Sequence, residues 1–240
     1  MTEQNSSQVV VVAGGTGGLG RAVSEAFLVE GATVIATYRN RDEFAELARL
    51  ATANATDLRL QGRQVDVTDE AAAGELIASV INQHGRIDAL INTVGGYAGG
   101  SKLWETEGAV LERMLALNVR SGFALARAAV PPMLRQQSGC IVNVAAEAAF
   151  THPAGAAAYA ASKAAAVAMI GSLAAELVGT GVRVNSIIPS IIDTESNRKA
   201  MPHADFAKWP KPQDIARAIL FLCSDAAKSI HGAALPVKGY

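Results

Sequence analysis

A tyrosine and a lysine four residues apart could form an acid–base pair. Tyr159 and Lys163 lie in an alanine-rich segment with a helical pattern, and residues at this spacing project from the same face of a helix. A phenol with the ordinary pKa of about 10 is a poor base at neutral pH. A nearby ammonium favours the phenolate, so we expect Lys163 to lower the pKa of Tyr159. Such a phenol can donate a proton to a bound molecule or remove one from it.

A glycine-rich segment near the start of the chain gives this pair a chemical context. Taken alone, the pair is more typical of a helical tyrosine packed against a lysine stem. The glycine segment follows a short apolar run and precedes a helical pattern. Glycines let the chain turn sharply and approach a ligand, and the free N–H groups of the following helix can bind a pyrophosphate. An ordinary tight turn is the alternative, but the position favours dinucleotide binding. The expected contacts are Gly14, Thr16, Gly18, Leu19 and Gly20.

The end of the second predicted strand bears on the choice of dinucleotide. An acid there would bind the ribose hydroxyls and repel a 2′-phosphate. The sequence reads Thr37-Tyr38-Arg39-Asn40 and has no acid at this point. Arg39 could pair with a 2′-phosphate, and the alternative is a solvated loop arginine. We expect NADP(H) to be preferred, with NAD(H) possible.

The order of elements predicts the fold that would position these residues. Short β-branched runs alternate with longer helical patterns, which is typical of a doubly wound parallel sheet covered by helices on both faces. We predict one α/β domain of the Rossmann type over residues 1–240, with seven strands, a disordered lead-in at 1–8 and a substrate loop at 189–211. The predicted strands are residues 9–13, 33–37, 58–65, 87–91, 141–144, 183–188 and 234–237. The predicted helices are residues 19–30, 41–53, 70–84, 109–136, 159–178 and 212–224.

Composition excludes several other classes of function. The formal net charge is −1 over 240 residues, so we expect no nucleic-acid partner. We find no apolar run of membrane-spanning length and no secretory pattern in the first eight residues, so we expect no membrane association and a cytoplasmic location. Cys140 and Cys223 each lie in apolar runs and are expected to be buried free thiols. The four histidines show no ligand spacing, and we predict no metal site.

The motifs together resemble those of the short-chain dehydrogenase/reductase family, almost from end to end of the chain. The shared features are glycines at 14, 18 and 20, Asp66-Val67, the segment 85–92 leading to Asn92-Thr93-Val94-Gly95, Asn118, Tyr159-x-x-x-Lys163, and Pro189-Ser190-Ile191-Ile192-Asp193-Thr194. The resemblance implies that Tyr159, Lys163 and Asn118 are catalytic, with Asn118 anchoring a water-linked proton path to Lys163. It implies a homo-oligomer, either a dimer or a tetramer. It also implies cofactor contacts from Asp66, Val67, Asn92, Gly95, Tyr159, Lys163, Pro189, Ile192 and Thr194.

One position departs from that family in a way that affects the chemistry. The family places a serine thirteen residues before the catalytic tyrosine, and this chain has Ala146 there. A hydroxyl at this point holds the substrate oxygen, and losing one such donor costs a few kcal/mol of transition-state stabilisation. Three explanations remain open. Glu147 or another nearby group replaces the serine, the substrate does not need it, or the protein is a weakened relative.

Two segments locally resemble quinonoid dihydropteridine reductase, a branch of that family with alanine at the serine position. They are residues 95–100 and 197–209. The resemblance implies an electron-poor substrate that accepts hydride readily. Tyr97 could stack on a flat heterocycle or simply cover the core, and Trp209 is expected to anchor its loop by packing. The match is partial, because that branch carries an acid at the end of the second strand.

These observations lead to two hypotheses of function. The first is a reductase that transfers hydride from NAD(P)H to a small carbonyl compound or a quinonoid dihydropterin, with Tyr159 as the proton donor and Tyr97, Ala146 and Glu147 in the substrate pocket. The second is a cofactor-binding sensor or scaffold with weakened catalysis, which only Ala146 supports.

Overall fold

Seven parallel strands form a single sheet in the computed structural model, which describes residues 8–239. The strand order is β3-β2-β1-β4-β5-β6-β7, so the chain reverses its direction of winding between β1 and β4. The predicted α/β fold with a doubly wound seven-stranded sheet is confirmed. The predicted lead-in lies outside the described residues except for Gln8. The strands are β1 Val9–Ala13, β2 Thr33–Tyr38, β3 Leu60–Gln64, β4 Ala89–Asn92, β5 Gly139–Val144, β6 Val182–Pro189 and β7 Ala234–Val237.

Helices cover both faces of the sheet. All five residues of β1 are buried, and successive side chains of a strand point to opposite faces. Val10 and Val12 therefore join one apolar cluster, whereas Val9 and Val11 join the other. The helices are α1 Gly18–Val29, α2 Arg41–Ala53, α3 Glu70–His84, α4 Gly108–Leu115, α5 Ser121–Gln136, α6 Ala148–Thr151, α7 Ala157–Glu176, α8 Glu195–Ala200 and α9 Pro212–Cys223.

The long helix predicted over residues 109–136 is interrupted. Helix α4 passes into a π-helical turn over Ala116–Arg120, and α5 follows it. Such wider turns inside a helix occur frequently at functional sites. This one contains the buried Asn118. The helical pattern of apolar residues is continuous here, so it did not indicate the change in helical pitch.

The segment 189–211 is more regular than its composition predicts. It contains α8 and a 3₁₀ turn over Phe206–Lys208. Thr194 accepts a hydrogen bond from the backbone N–H of Asn197 and so caps α8. Trp209 is buried and its ring lies 5.0 Å from that of Phe206. The expectation that Trp209 anchors this loop by packing agrees with that placement.

Helix α7 is long and apolar enough to cross a membrane by length and composition alone. A core helix passes the same test. Helix α7 packs against β6, α4 and α6. It carries the buried polar residues Ser162 and Lys163 toward the protein interior.

Candidate active site

The glycine segment forms a tight loop at the carboxyl end of β1. Gly14 has a φ of +72°, a backbone conformation that favours glycine. The backbone N–H of Gly14 donates to the hydroxyl of Thr37 over 2.9 Å, and that of Gly15 donates to the Thr37 carbonyl over 2.9 Å. These two bonds hold the loop against the end of β2.

Close approach explains two further glycines of the loop. A Cβ atom at Gly20 would lie 1.9 Å from the carbonyl oxygen of Gly14. One at Gly18 would lie 2.9 Å from Cγ2 of Thr194. The loop therefore packs directly against the start of α1 and against the segment that follows β6. The structure thus brings together Gly14, Gly18, Gly20 and Thr194, which the sequence predicted to share one cofactor site.

The beginning of α1 fits an anionic group. No side chain caps this helix at Gly17, and its first turn carries no acidic residue. Helices leave their first N–H groups without intrahelical partners, and the helix dipole favours negative charge at that end. The loop is thus suited to bind the pyrophosphate of a dinucleotide.

Three of the expected cofactor contacts, Arg39, Asp66 and Val67, follow the ends of β2 and β3. The ring of Tyr38 stacks on Phe44 at 4.8 Å, and Arg39 is exposed. The hydroxyl and the N–H of Thr68 both donate to Asp66, over 2.7 and 3.0 Å. These bonds, with a smaller contribution from Arg39, hold the pKa of Asp66 below its usual range. Val67, beside Asp66, is buried.

A carboxylate that the sequence analysis did not single out lies at the same loop. The hydroxyl of Thr16 donates to Oε2 of Glu43 over 2.9 Å. Glu43 belongs to the first turn of α2. Acids are common in the first turn of a helix because they stabilise its dipole, so the residue type and position of Glu43 did not point to this contact.

The proposed acid–base pair lies at the same edge of the sheet. Helix α7 carries Tyr159 in its first turn and Lys163 one turn later. Lys163 is 6% exposed, and its Nζ atom donates to the carbonyl oxygen of Val144, the last residue of β5, over 3.1 Å. A Cβ atom at Gly95 would lie 3.1 Å from Nζ. Lys163 is therefore enclosed between β5 and the segment that follows β4.

Asn118 fixes that segment with both atoms of its amide. Its Oδ1 atom accepts from the N–H of Gly96 over 2.9 Å, and its Nδ2 atom donates to the Gly96 carbonyl over 3.0 Å. The Nδ2 atom also donates to the hydroxyl of Ser162 over 2.9 Å. Asn118 thus connects α7 to the segment containing Gly95. Its part in a water-linked proton path stays a prediction.

The protonation of the pair differs from the expectation. Burial raises the pKa of Tyr159 to about 12, and the neighbouring Tyr97 adds to the rise. Burial also lowers the pKa of Lys163 to about 8. The net shift of the Tyr159 pKa is therefore upward and not downward as expected, because the loss of hydration around the phenolate dominates. At neutral pH Tyr159 is a protonated phenol, which suits a proton donor, and Lys163 is mainly an ammonium.

Comparisons with known proteins agree with this geometry. A family model described as short chain dehydrogenase matches residues 8–205. The chain belongs to the short-chain dehydrogenase family. It is an NAD(P)-dependent oxidoreductase, and curated relatives that it matches over nearly its whole length are named reductases and dehydrogenases.

Three relatives illustrate how far the similarity extends. The 3-oxoacyl-(acyl-carrier-protein) reductase FabG of Thermotoga maritima is 30% identical, over 97% of this chain and 96% of its own. The 2-(R)-hydroxypropyl-CoM dehydrogenase of Xanthobacter autotrophicus is 32% identical, over 97% and 98%. A solved short-chain dehydrogenase/reductase from Burkholderia xenovorans is 31% identical, with a TM-score of 0.87 over 97% and 95%. The first two act on different compounds at similar identity, so identity alone does not give the substrate.

Ala146, which stands where the family has a serine, makes no polar contact through its side chain. Ala146 is 8% exposed and lies between β5 and α6. Next to it, the carboxylate of Glu147 forms an ion pair with Lys238. Glu147 is thus held toward the C-terminal segment, which weighs against its replacing the missing serine hydroxyl. The ion pair joins residues far apart in the chain, and nothing in the sequence pointed to it.

Tyr97 lies beside the proposed proton donor. Its ring is 5.0 Å from that of Tyr159 at 74°, an edge-to-face arrangement, and it is 68% exposed. That exposure excludes the alternative in which Tyr97 covers the core. A cavity of about 340 Å³ opens next to the start of α7. Its lining includes Gly99, Arg113 and Ala158 but not the three residues predicted to form the substrate pocket.

Three remaining predicted cofactor contacts, Asn92, Pro189 and Ile192, form hydrogen bonds at or just beyond the ends of β4 and β6. Nδ2 of Asn92 donates to Oδ1 of Asn143 over 2.9 Å, across β4 and β5. The carbonyl of Pro189 accepts from the N–H of Glu147 over 2.9 Å, and the Ile192 carbonyl accepts from Nδ2 of Asn197 over 2.8 Å. These contacts shape the edge of the site. Cys140 is a buried free thiol, as expected, whereas Cys223 is a free thiol that is only partly buried. No group of three or more metal-ligating side chains occurs within residues 8–239.

Proposed function

We propose that this short-chain dehydrogenase is a reductase in which Tyr159 donates the proton to a small carbonyl compound or a quinonoid dihydropterin. The observation that carries the proposal is the placement of Tyr159 one helical turn before the buried Lys163 on α7, with the ring of Tyr97 5.0 Å from that of Tyr159. The pKa of Tyr159 is about 12, and a phenol of that pKa holds its proton until a stronger base forms, such as the oxygen or nitrogen anion of a reduced substrate. At neutral pH the same pKa leaves very little phenolate, which is the form that would act as the base in the reverse direction.

The cofactor site supports NADP(H) as the preferred cofactor. When bound, the reduced nicotinamide supplies a hydride. The start of α1 would hold the pyrophosphate, since its N–H groups are not capped by a side chain. Arg39 is exposed at the end of β2, where its guanidinium can pair with a 2′-phosphate. Asp66, Val67, Asn92, Gly95, Pro189, Ile192 and Thr194 complete the proposed set of contacts.

Lys163 has two tasks in the proposed mechanism. Its ammonium stabilises the phenolate that remains when Tyr159 has given up its proton. Its hydrogen bond to Val144 fixes the side chain relative to β5. Asn118 supports both residues because it fastens Gly96 to α7. The proposed water-linked path from Asn118 would return a proton to Tyr159 through Lys163.

The substrate is proposed to be one that accepts hydride easily. Ala146 offers no hydroxyl to hold a carbonyl oxygen, and Glu147 is paired with Lys238. An electron-poor acceptor depends less on such a donor than a simple ketone does. The exposed ring of Tyr97 offers a surface on which a flat heterocycle can stack.

The direct test is NADPH oxidation with quinonoid dihydropterin and with a panel of ketones and aldehydes. We expect turnover with the dihydropterin or an activated carbonyl compound and weak turnover with simple ketones. Ala146 also supports a second candidate, a cofactor-binding sensor or scaffold. Tight NADPH binding without turnover of any acceptor would favour that candidate and contradict a reductase.

We further propose that the protein is a cytoplasmic homo-oligomer, a dimer or tetramer, that associates through α5 and α7. Four small residues on one face of α7 are exposed: Ala165, Ala168, Gly171 and Ala175. Phe123 of α5 is exposed as well. Small residues let two helices approach closely, and exposed aromatic rings are common at subunit interfaces.

A further inference from the structure

The contact between Glu43 and Thr16 places a negative charge on the loop of the proposed cofactor site. Thr16 is buried, whereas Glu43 is exposed to solvent. The Thr16 hydroxyl donates to Oε2 of Glu43 over 2.9 Å. The helix that carries Glu43 is itself fixed at its start, because the side chain of Asn40 caps it by accepting from the N–H of Asp42. The carboxylate thus has a defined position beside the loop.

That position coincides with the region that distinguishes the two nicotinamide cofactors. In a Rossmann fold the adenosine ribose lies between the glycine loop and the end of the second strand, where an acid binds its 2′-hydroxyl and an arginine accommodates a 2′-phosphate. Here the loop is bonded to Thr37 near the end of β2, and Glu43 joins the helix that follows β2 to the same loop. Glu43 therefore lies beside this region, in contact with the glycine loop.

Two opposite charges border the region. Arg39 lies at the end of β2, and Glu43 lies in the first turn of α2. A 2′-phosphate carries close to two negative charges, so a fixed carboxylate nearby repels it, whereas a ribose 2′-hydroxyl can donate to the same carboxylate. Sequence inspection of the strand end alone finds only the arginine. The structure adds the opposing acid.

We propose that Glu43 is a specificity-determining residue that disfavours the 2′-phosphate of NADP(H) and so limits the preference that Arg39 provides. Thr16 holds the carboxylate in place for this role. The proposal rests on the cofactor site given under the proposed function. It makes Glu43 a substitute, supplied by α2, for the acid that is missing at the end of β2.

The test is the affinity of the purified protein for NADPH and NADH, measured without substrate by fluorescence titration. Glu43→Gln keeps the size of the side chain and an oxygen that can accept from Thr16, but it removes the charge. We expect the Kd for NADPH to fall by about tenfold, which corresponds to the loss of one moderate charge–charge repulsion. The Kd for NADH should stay the same or rise slightly. The effect on NADPH should shrink at high salt.

A matched control lies on the same helix. Glu46 pairs with Arg49 on α2, and Glu46→Gln makes the same change of charge. It should leave the ratio of the two Kd values unchanged. Thr16→Val removes the hydroxyl that positions Glu43 and should weaken the discrimination only in part.

Two outcomes would overturn the proposal. An equal change in both Kd values for Glu43→Gln would mean that Glu43 merely supports the loop. No change in either value would mean that the carboxylate does not meet the cofactor. If the unaltered protein binds neither cofactor, the proposed cofactor site itself fails. Binding that discriminates as expected, without turnover of any acceptor, would leave the role of Glu43 intact and contradict only the proposed reductase.

Discussion

The Nζ atom of Lys163 donates a hydrogen bond to the carbonyl oxygen of Val144 over 3.1 Å, deep within the protein. Val144 ends β5, and Ala146 follows two residues later. One bond therefore ties the lysine of α7 to the strand end that carries the departure from the family pattern. Burial of this ammonium costs free energy, which appears as a pKa lowered to about 8.

The cost of burying the Lys163 ammonium predicts how the free energy of unfolding depends on pH. The folded-state pKa of Lys163 is about 8, below the ordinary value of about 10.4. Between these values the unfolded chain binds more protons at this residue, so the free energy of unfolding should rise with pH. Relative to Lys163→Met, the unaltered protein should gain roughly 2 kcal/mol from pH 8 to pH 10. Urea unfolding at both pH values measures this, and identical pH dependence in the two proteins would contradict it.

Arg39 should select NADPH over NADH. Its exposed guanidinium stands at the end of β2, and removing it takes away the cation that a 2′-phosphate would meet. Arg39→Ala should raise the Kd for NADPH by about tenfold or more while changing that for NADH little. Arg41→Ala is a suitable control, because Arg41 is an exposed neighbour bonded to Gln64. Equal weakening of both cofactors in a fluorescence titration would show that Arg39 does not contact the phosphate.

A hydroxyl introduced at position 146 should raise the kcat/KM for simple ketones more than that for the native substrate. Ala146→Ser gives simple ketones a donor for their oxygen, so their kcat/KM should rise by about tenfold or more. The native substrate should gain little, because its reaction proceeds without that donor. Steady-state kinetics with both classes of compound measure the difference. A large gain on every substrate would instead identify Ala146 as a damaged site and favour the sensor or scaffold.

The exposed face of α7 should be covered in the oligomer. Light scattering should give a mass of two or four chains at micromolar concentration. Ala168→Arg places a long charged side chain on this face and should lower the measured mass without unfolding the chain. A monomer mass for the unaltered protein would contradict the proposed association.

The features that could be predicted from the sequence are those that depend on the local pattern of residues. Buried apolar strands such as β1 and the glycines after it have strong local signatures, and Tyr159 and Lys163 share a helix face at a fixed spacing. These predictions needed no knowledge of distant contacts. The seven strands and the family were therefore within reach of the sequence.

Features that depend on contacts between residues distant in the chain could not be predicted from the sequence. The π turn at Asn118 accompanies bonds to Gly96 and Ser162, and a continuous helical pattern does not reveal them. The pKa of Tyr159 depends on how much water burial removes, which spacing does not report. The contact of Thr16 with Glu43 likewise joins a loop to a helix that the sequence treats as separate.

The most direct test of the account is Tyr159→Phe, assayed for turnover and for NADPH affinity in the same preparation. The phenyl ring keeps the packing against Tyr97 but has no proton to transfer. General acid catalysis contributes about 10²- to 10⁴-fold, so kcat should fall by about a hundredfold or more while the Kd for NADPH changes little. If turnover remains at the level of the unaltered protein, Tyr159 is not the proton donor and the proposed mechanism is wrong.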